Sequence, residues 1–480
     1  MQDNKLVRSL GLLDATLLVA GSMIGSGIFI VTSIMARDVG SAGWILTLWV
    51  LTGLITVMAA LSYGELAGMM PNAGGQYVYI QRAYGKMMSF LYGWTVFTVI
   101  QTGVIAAVAM AFSKYTAVFF PALNAKWLSL GSFSLNYAQA LAIFSVVLLT
   151  YFNARGIQNG KRIQFFFTLA KLTALFGLIV LGLAIGLGSE VWEANFQDIW
   201  TAKQTVVNTE NKTITIQTLT GFALAGALGA TIINSLFSSD AWNNVTFIAS
   251  EIKDPKRNIP RSLFLGTFIV TVIYILANVA YLALLPLSGN PASSEAASLG
   301  IMFAADDRVG SGAATVLFGP TGGLIMAGLI MISTFGCNNG LILAGSRLFY
   351  AMSRDGLFFK RAGELNENHV PGKALWIQCI WACVLCLSGK YGDLLEYSTF
   401  ASLLFYMLTI GGIFVLRKKE PEVERPYKAF GYPVIPLLYI LITASICAVL
   451  LIYKPWTAGL GLVIVLLGIP VYFFSKNNER

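Results

Sequence analysis

The chain has 480 residues, 56% of them hydrophobic and 11% charged, with a mean hydropathy of +0.71 and a formal net charge of +9. Soluble domains carry about 25% charged residues, and a soluble fold this apolar would expose large sticky patches. The composition therefore excludes an ordinary soluble enzyme or nucleic-acid-binding module and reads as a polytopic membrane protein. The positive balance then belongs to basic loops facing anionic lipid.

At the N-terminus, MQDNKLVRSLGLLD runs straight into an apolar segment with no small-residue cleavage site, so no cleavable signal peptide is expected. Twelve apolar runs could cross a bilayer, at about 14–36, 43–67, 87–120, 136–153, 161–187, 222–249, 262–286, 315–352, 374–389, 394–416, 433–452 and 457–475. The runs at 87–120 and 315–352 are overlong and are expected to tilt or to extend into the cytoplasm. Twenty-three of the 32 Lys and Arg fall in the set of connections that includes both chain ends, and eight fall in the other set. Both termini are therefore expected in the cytoplasm. The one left over is Lys171, inside the fifth run.

The first run contains GSMIGSGIF, which places Gly21, Gly25 and Gly27 with Ser22 and Ser26 at mid-span. One reading is close helix packing through small residues. The other is a broken helix whose freed N–H groups bind an anion. The sixth run is interrupted as well: NSLFSSDAWNN puts Ser238, Ser239 and Asp240 at its centre, and a charge there is costly and usually functional. Runs one and six open two five-span halves, 1–5 and 6–10. Interrupted segments at corresponding positions of two halves mark a transporter binding site, which favours the broken-helix reading. Asp240 keeps two readings, a counter-ion for cationic substrates or a residue turned toward backbone and polar neighbours. Lys171 lies nine residues beyond Arg162, roughly 13 Å along a helix, so its stem could snorkel part of the way out.

The remaining polar positions say less. Gln101 could line a pocket or bond between helices, Asn243 could touch a ligand, and Asn338 and Asn339 read as interhelical contacts. Glu65, Arg347 and Arg354 sit near span ends as loop anchors or an inner gate. Asn211-Lys212-Thr213 is a glycosylation sequon, relevant in a eukaryotic host. The single histidine, His369, lies in a polar loop. All five cysteines (337, 379, 383, 386 and 447) lie in apolar segments, and the spacing at 379–386 does not suit zinc. No metal or cofactor is expected. No H-E-x-x-H, G-x-S-x-G or phosphate-binding loop is present, so no catalytic site is expected.

Five stretches in order, GSMIGSGIF, YGELAGMMPNAGGQYVYIQRAYG (63–85), FSSDAWNNVTFIASEIKDPKRNIPRSL (237–263), STFGCNNGLILAGSRLFYAMSRDG (333–356) and RPYKAFGYPVIP (425–436), resemble the amino acid–polyamine–organocation superfamily, and within it the L-amino acid transporter branch, as a prokaryotic-type member. The resemblance covers nearly the whole chain. It implies an all-α polytopic fold of 12 transmembrane helices in one transporter domain. Two inverted five-helix repeats, about 10–188 and 221–417, precede helices 11 and 12 at about 432–476, and helices 1 and 6 are broken. Substrate would sit between the breaks. Ile24, Gly25, Ser26 and Gly27 would meet its carboxylate, and the backbone around Phe237, Ser238, Ser239 and Asp240 would accept from its ammonium, with Phe237 as the outer gate.

The same resemblance matches Thr168-Leu-Ala-Lys171 to a lysine whose ammonium takes the place of a sodium ion, beside Ser333 and Tyr274. Transport would then be sodium-independent exchange of neutral L-amino acids across the cell membrane. The alternative is a proton-coupled permease that also accepts cationic amino acids. Two positions depart from the family pattern. Ser239 stands for a tyrosine and should enlarge or hydrate the pocket, and Ala241 stands for a glycine and should limit the backbone. Animal exchangers of this branch are disulfide-linked to a glycoprotein through the loop after span 3. Here 121–135 has no cysteine, so no such heavy subunit is expected.

Overall fold

The apolar runs fold as helices because a bilayer leaves the backbone no water to bond, so each span must satisfy its own N–H and C=O groups. The computed structural model describes residues 6–130, 133–207, 214–387 and 391–477. The sequon at 211–213 lies outside the described residues.

Among the described residues, ten helices are long and apolar enough to cross a membrane. Two spans escape that criterion for different reasons. Span 9 has 16 described helical residues, Gly372–Leu387, fewer than the length required. Span 1 is broken into Leu12–Met23 and Val31–Val39, joined by an irregular stretch and one tight turn, Gly27–Phe29. Together they give the expected twelve.

Span 6 is broken too. Gly221–Ser238 ends at an unwound 239–243, and the chain resumes as the short turns Asn244–Phe247 and Ala249–Glu251. Span 3, Lys86–Phe119, is continuous over 34 residues but carries a wide π-type turn at Val96–Ile100. Such turns cluster at functional sites.

Three boundaries differ from the sequence expectation. The overlong run at 315–352 is two helices, Val309–Phe318 and Pro320–Arg354, separated at Gly319, whose φ of 67° breaks the helix ahead of Pro320. Apolar composition continues through that break, so hydropathy alone did not reveal it. Spans 5 and 7 start earlier than their apolar runs, at Ile157 and Pro255, because polar first turns carry each helix beyond its apolar run. The sequence reading had no helix at Gln76–Tyr84, which lies between spans 2 and 3.

Span 7 packs against span 2 and the first half of span 1, and span 8 packs against spans 3 and 5. Small polar contacts at depth add to this packing, Thr52 of span 2 with Ser235 of span 6 at 2.7 Å and Thr32 of the second half of span 1 with Asn278 of span 7 at 2.6 Å. On one face sit Arg37–Asp307 at 2.7 Å and two antiparallel hairpins, Lys126–Leu130 with Phe133–Asn136 and Lys203–Val207 with Ile214–Thr218.

The opposite face gathers the basic loops, and here Glu65, Arg347 and the backbone at Ser9 and Leu10 are tied down. Glu65 accepts from Arg417 at 2.6 Å and from the Ala429 amide at 2.7 Å. Glu251 pairs twice with Arg347, at 3.0 and 3.3 Å, and its carbonyl accepts from the amides of Ser9 and Leu10. The Glu251–Arg347 pair is fully buried, so removing one partner strands a charge at a cost of about 3–5 kcal/mol. Arg347→Met is therefore expected to lower the melting temperature of the purified protein sharply. Adding Glu251→Leu should recover most of the loss. A single mutant as stable as wild type would contradict the pairing.

Candidate functional site

The glycines of GSMIGSGIF serve different ends. A Cβ on Gly21 would strike Gln164 and Thr168 of span 5, so Gly21 is a packing glycine. A Cβ on Gly27 would strike the Ser238 side chain and lie 3.0 Å from its Cα, so Gly27 lets the two breaks touch. A Cβ on Gly25 would meet only the Cys337 sulfur, at 3.4 Å.

Each break frees backbone groups. In span 1 the amides of Ser26, Gly27 and Ile28 donate to no protein acceptor among the described residues. They lead into Val31–Val39, whose N-terminal end carries positive partial charge. In span 6 the carbonyls of Ser239 and Asp240 accept no hydrogen bond among the described residues. Gly25, Ser26 and Gly27 from one break and Phe237, Ser238 and Asp240 from the other line the same cavity. Val96 and Ile100 of the π-type turn, with Val104 and Val108, supply an apolar wall. Opposed donors and acceptors beside an apolar wall suit a small zwitterion with a modest side chain.

The carbonyls at the end of the first half-helix are not available to a ligand. Lys171 Nζ donates to Gly21 O at 2.6 Å, Ile24 O at 2.5 Å and Ser333 O at 3.3 Å. An ammonium has three donors, and all three are placed. Ser333 Oγ adds 3.1 and 3.0 Å contacts to the Ile24 and Gly25 carbonyls. The Tyr274 hydroxyl lies 3.1 Å from Met23 O and 3.0 Å from Ser238 O and clasps the two breaks together. Lys171 is 1% exposed, which rules out the snorkelled reading. Its charge sits where the carbonyls of span 1 and span 8 converge.

Two expected pocket residues are placed elsewhere. Ile24 is buried in the core, and its carbonyl serves Lys171 and Ser333 rather than the cavity. The Ser239 side chain does not line the central cavity. It borders a separate recess between spans 2, 6, 10 and 11, with Thr56, Trp242 and Tyr439. The room left by a small residue at this position therefore opens behind the break. Ala241 adopts φ +64°, a left-handed conformation that costs a residue with a Cβ roughly 1–2 kcal/mol. Ala241→Gly is expected to raise the melting temperature slightly, and a drop would show that the Ala241 methyl packs productively.

Asp240 Oδ1 accepts from Tyr406 at 2.5 Å, in keeping with the reading that turns it toward polar neighbours. No cation pairs with it among the described residues. Asn243 lines the cavity and is held by Tyr406 and Gln76. Gln101 both lines the cavity and donates to Leu341 O at 2.8 Å. Asn339 bonds Gly160, Gln164 and Asn153 as an interhelical contact, whereas Asn338 Oδ1 has no partner among the described residues. The sequence reading missed Gln76, Tyr92, Cys337, Ser402 and Tyr406 on the cavity wall. Of these only Gln76 carried a signal, a polar residue directly after a Gly-Gly turn.

The family described as amino acid permease matches residues 10–479. The chain belongs to the amino acid permease family. This permease is 30% identical over 477 residues to the human "Large neutral amino acids transporter small subunit 2", covering 98% of this chain and 81% of the relative. It is 30% identical over 483 residues to the "Serine/threonine exchanger SteT" of Bacillus subtilis (strain 168), covering 100% of this chain and 99% of that one. It is 28% identical over 482 residues to the mouse "b(0,+)-type amino acid transporter 1", covering 98% and 89%. These relatives fall in the branch that the sequence motifs resemble.

Proposed function

We propose that this protein is a sodium-independent exchanger of neutral L-amino acids in the cell membrane, working by alternating access with its basic face in the cytoplasm. The observation that carries the reading is the pair of breaks around one cavity. Unpartnered amides of Ser26 and Gly27 belong to one side, and the unpartnered carbonyl of Asp240 belongs to the other. The first set suits a carboxylate, the second an ammonium. Phe237, half-buried on the cavity wall, closes over the substrate from outside. The names of the relatives, two of which print "neutral amino acids" and "exchanger", support the same substrate class and mode.

Sodium independence rests on the Lys171 ammonium, which occupies the oxygens a sodium ion would need. The protein works without a disulfide-linked heavy subunit, since the external loop after span 3 holds no cysteine. A second reading, a proton-coupled permease that accepts cationic amino acids, is favoured by one observation: Asp240 lines the cavity without a cationic partner among the described residues.

Proteoliposomes separate the two. Vesicles loaded with unlabelled amino acids, or left empty, receive labelled alanine, serine, leucine, arginine or glutamate without sodium. Exchange gives uptake of a neutral label into loaded vesicles alone. Uptake into empty vesicles under an inward proton gradient supports the second reading, and a requirement for sodium contradicts the role given to Lys171.

A further inference from the structure

Gln76 opens the helix Gln76–Tyr84 between spans 2 and 3, yet its side chain is buried on the cavity wall. Its Oε1 accepts from Asn243 Nδ2 at 2.8 Å and from the Tyr92 hydroxyl at 2.9 Å, and its Nε2 donates to Thr409 Oγ1 at 3.0 Å. Through Asn243 it reaches Tyr406 and then Asp240. One amide thus joins spans 3, 6 and 10 at the bottom of the site.

The backbone just before it is fastened to the second half of span 6. Gly74 N donates to Phe247 O at 3.0 Å and Ala73 N to Ser250 Oγ at 2.8 Å. Gly75 has φ +45°, and a Cβ there would lie 2.6 Å from the Thr246 carbonyl carbon. The Thr246 hydroxyl oxygen would lie closer still, so only a glycine lets the two segments approach this closely. The rest of the helix grips two other spans at the basic face. Tyr77 and Gln81 both donate to Asp355 at 2.9 Å beyond span 8, and Arg82 pairs with Glu420 at 2.7 Å beyond span 10. A substrate that shifts Asn243 or Tyr406 must therefore load this helix or break the Gln76 bonds.

Resting on the transport reading, we propose that Gln76 is a positioning residue that couples occupancy of the cavity to the basic-face gate built on Gln76–Tyr84. It touches the groups around the substrate and sets how readily the gate opens, so its loss slows turnover more than it weakens binding. Allosteric coupling of this kind needs an element that both sites bias, and the helix is that element.

The test compares Gln76→Leu, Tyr92→Phe, Asp355→Asn and Gln76→Leu/Asp355→Asn with wild type, using labelled alanine, serine and leucine. Equilibrium binding to purified protein gives Kd, and exchange in loaded vesicles gives the maximal rate. Gln76→Leu should slow exchange about 10-fold or more while Kd stays within about 3-fold. Tyr92→Phe removes one donor to the same oxygen and should slow exchange about 3-fold, which keeps the test open if Gln76→Leu fails to fold. Gln76 and Asp355 share no partner, so independent roles would multiply. The coupling predicts a double mutant no slower than the slower single mutant. Unchanged exchange, an equal loss in Kd and rate, or multiplying effects each overturn the proposal. Wild-type vesicles that move none of the three labels overturn the transport reading itself.

Discussion

Gly25→Val is expected to abolish amino acid binding, by at least about 100-fold, or roughly 2.7 kcal/mol, with little change in melting temperature. The reason is directional. The only atom near a Cβ at Gly25 is the sulfur of Cys337, at ordinary contact distance on the cavity wall, and a thiol is a soft neighbour. The local backbone is extended rather than left-handed at Ile24, and Gly25 is absent from the positive-φ positions. Valine can therefore be built without straining the fold, but its methyl groups fill the space beside the free amides where a carboxylate would lie. Gly27→Ala should behave differently. Its methyl group would force Ser238 and its backbone away, so binding and stability should fall together. Titrating labelled amino acid onto both purified variants, with melting curves alongside, checks the contrast. Wild-type affinity in Gly25→Val would remove the span 1 break from the site.

Lys171→Met is expected to stop exchange and to lower the melting temperature by several degrees. Methionine fills much of the stem's volume but withdraws the ammonium from the carbonyls of Gly21, Ile24 and Ser333, and Gly21 O has no other donor among the described residues. A buried acceptor left unmade costs about 1–3 kcal/mol. The three carbonyls come from both sides of the junction between span 1 and span 8, so the loss should loosen the break as well as destabilise the protein. Lys171→Arg should not rescue, because a planar fork cannot converge on three carbonyls as a point ammonium does. The readouts are vesicle exchange and thermal melting of the same preparation. A fully active Lys171→Met would show that the ammonium is incidental.

The features legible in the sequence were those that contradict their surroundings. A charged or glycine-rich stretch inside an apolar run is anomalous one residue at a time, which is why both breaks, Asp240 and Lys171 could be read before any geometry. Ser239 shows the limit. Its small size was readable, but an unwound segment has no period, so nothing in the sequence told which way the side chain turns. It faces the recess behind the break. Gly319 shows another limit, since apolar residues on both sides hide a helix end from hydropathy. The Gln76 network was out of reach because it is long-range: Gln76 and Asn243 are 167 residues apart, and Gln76 and Thr409 are 333 apart. Tyr92 and Tyr406 gave no signal either, since a tyrosine in a span is as often packing as function.

The central claim is that the two breaks read the two charges of an amino acid. The most direct measurement is inhibition of exchange by a series that removes one charge at a time: alanine, alaninamide without the carboxylate, and propionate without the amine. The account predicts that alanine competes while both single-charge analogues fail even at about 100-fold higher concentration. Competition by alaninamide would contradict the assignment of the Ser26 and Gly27 amides, and competition by propionate would contradict that of the Asp240 carbonyl.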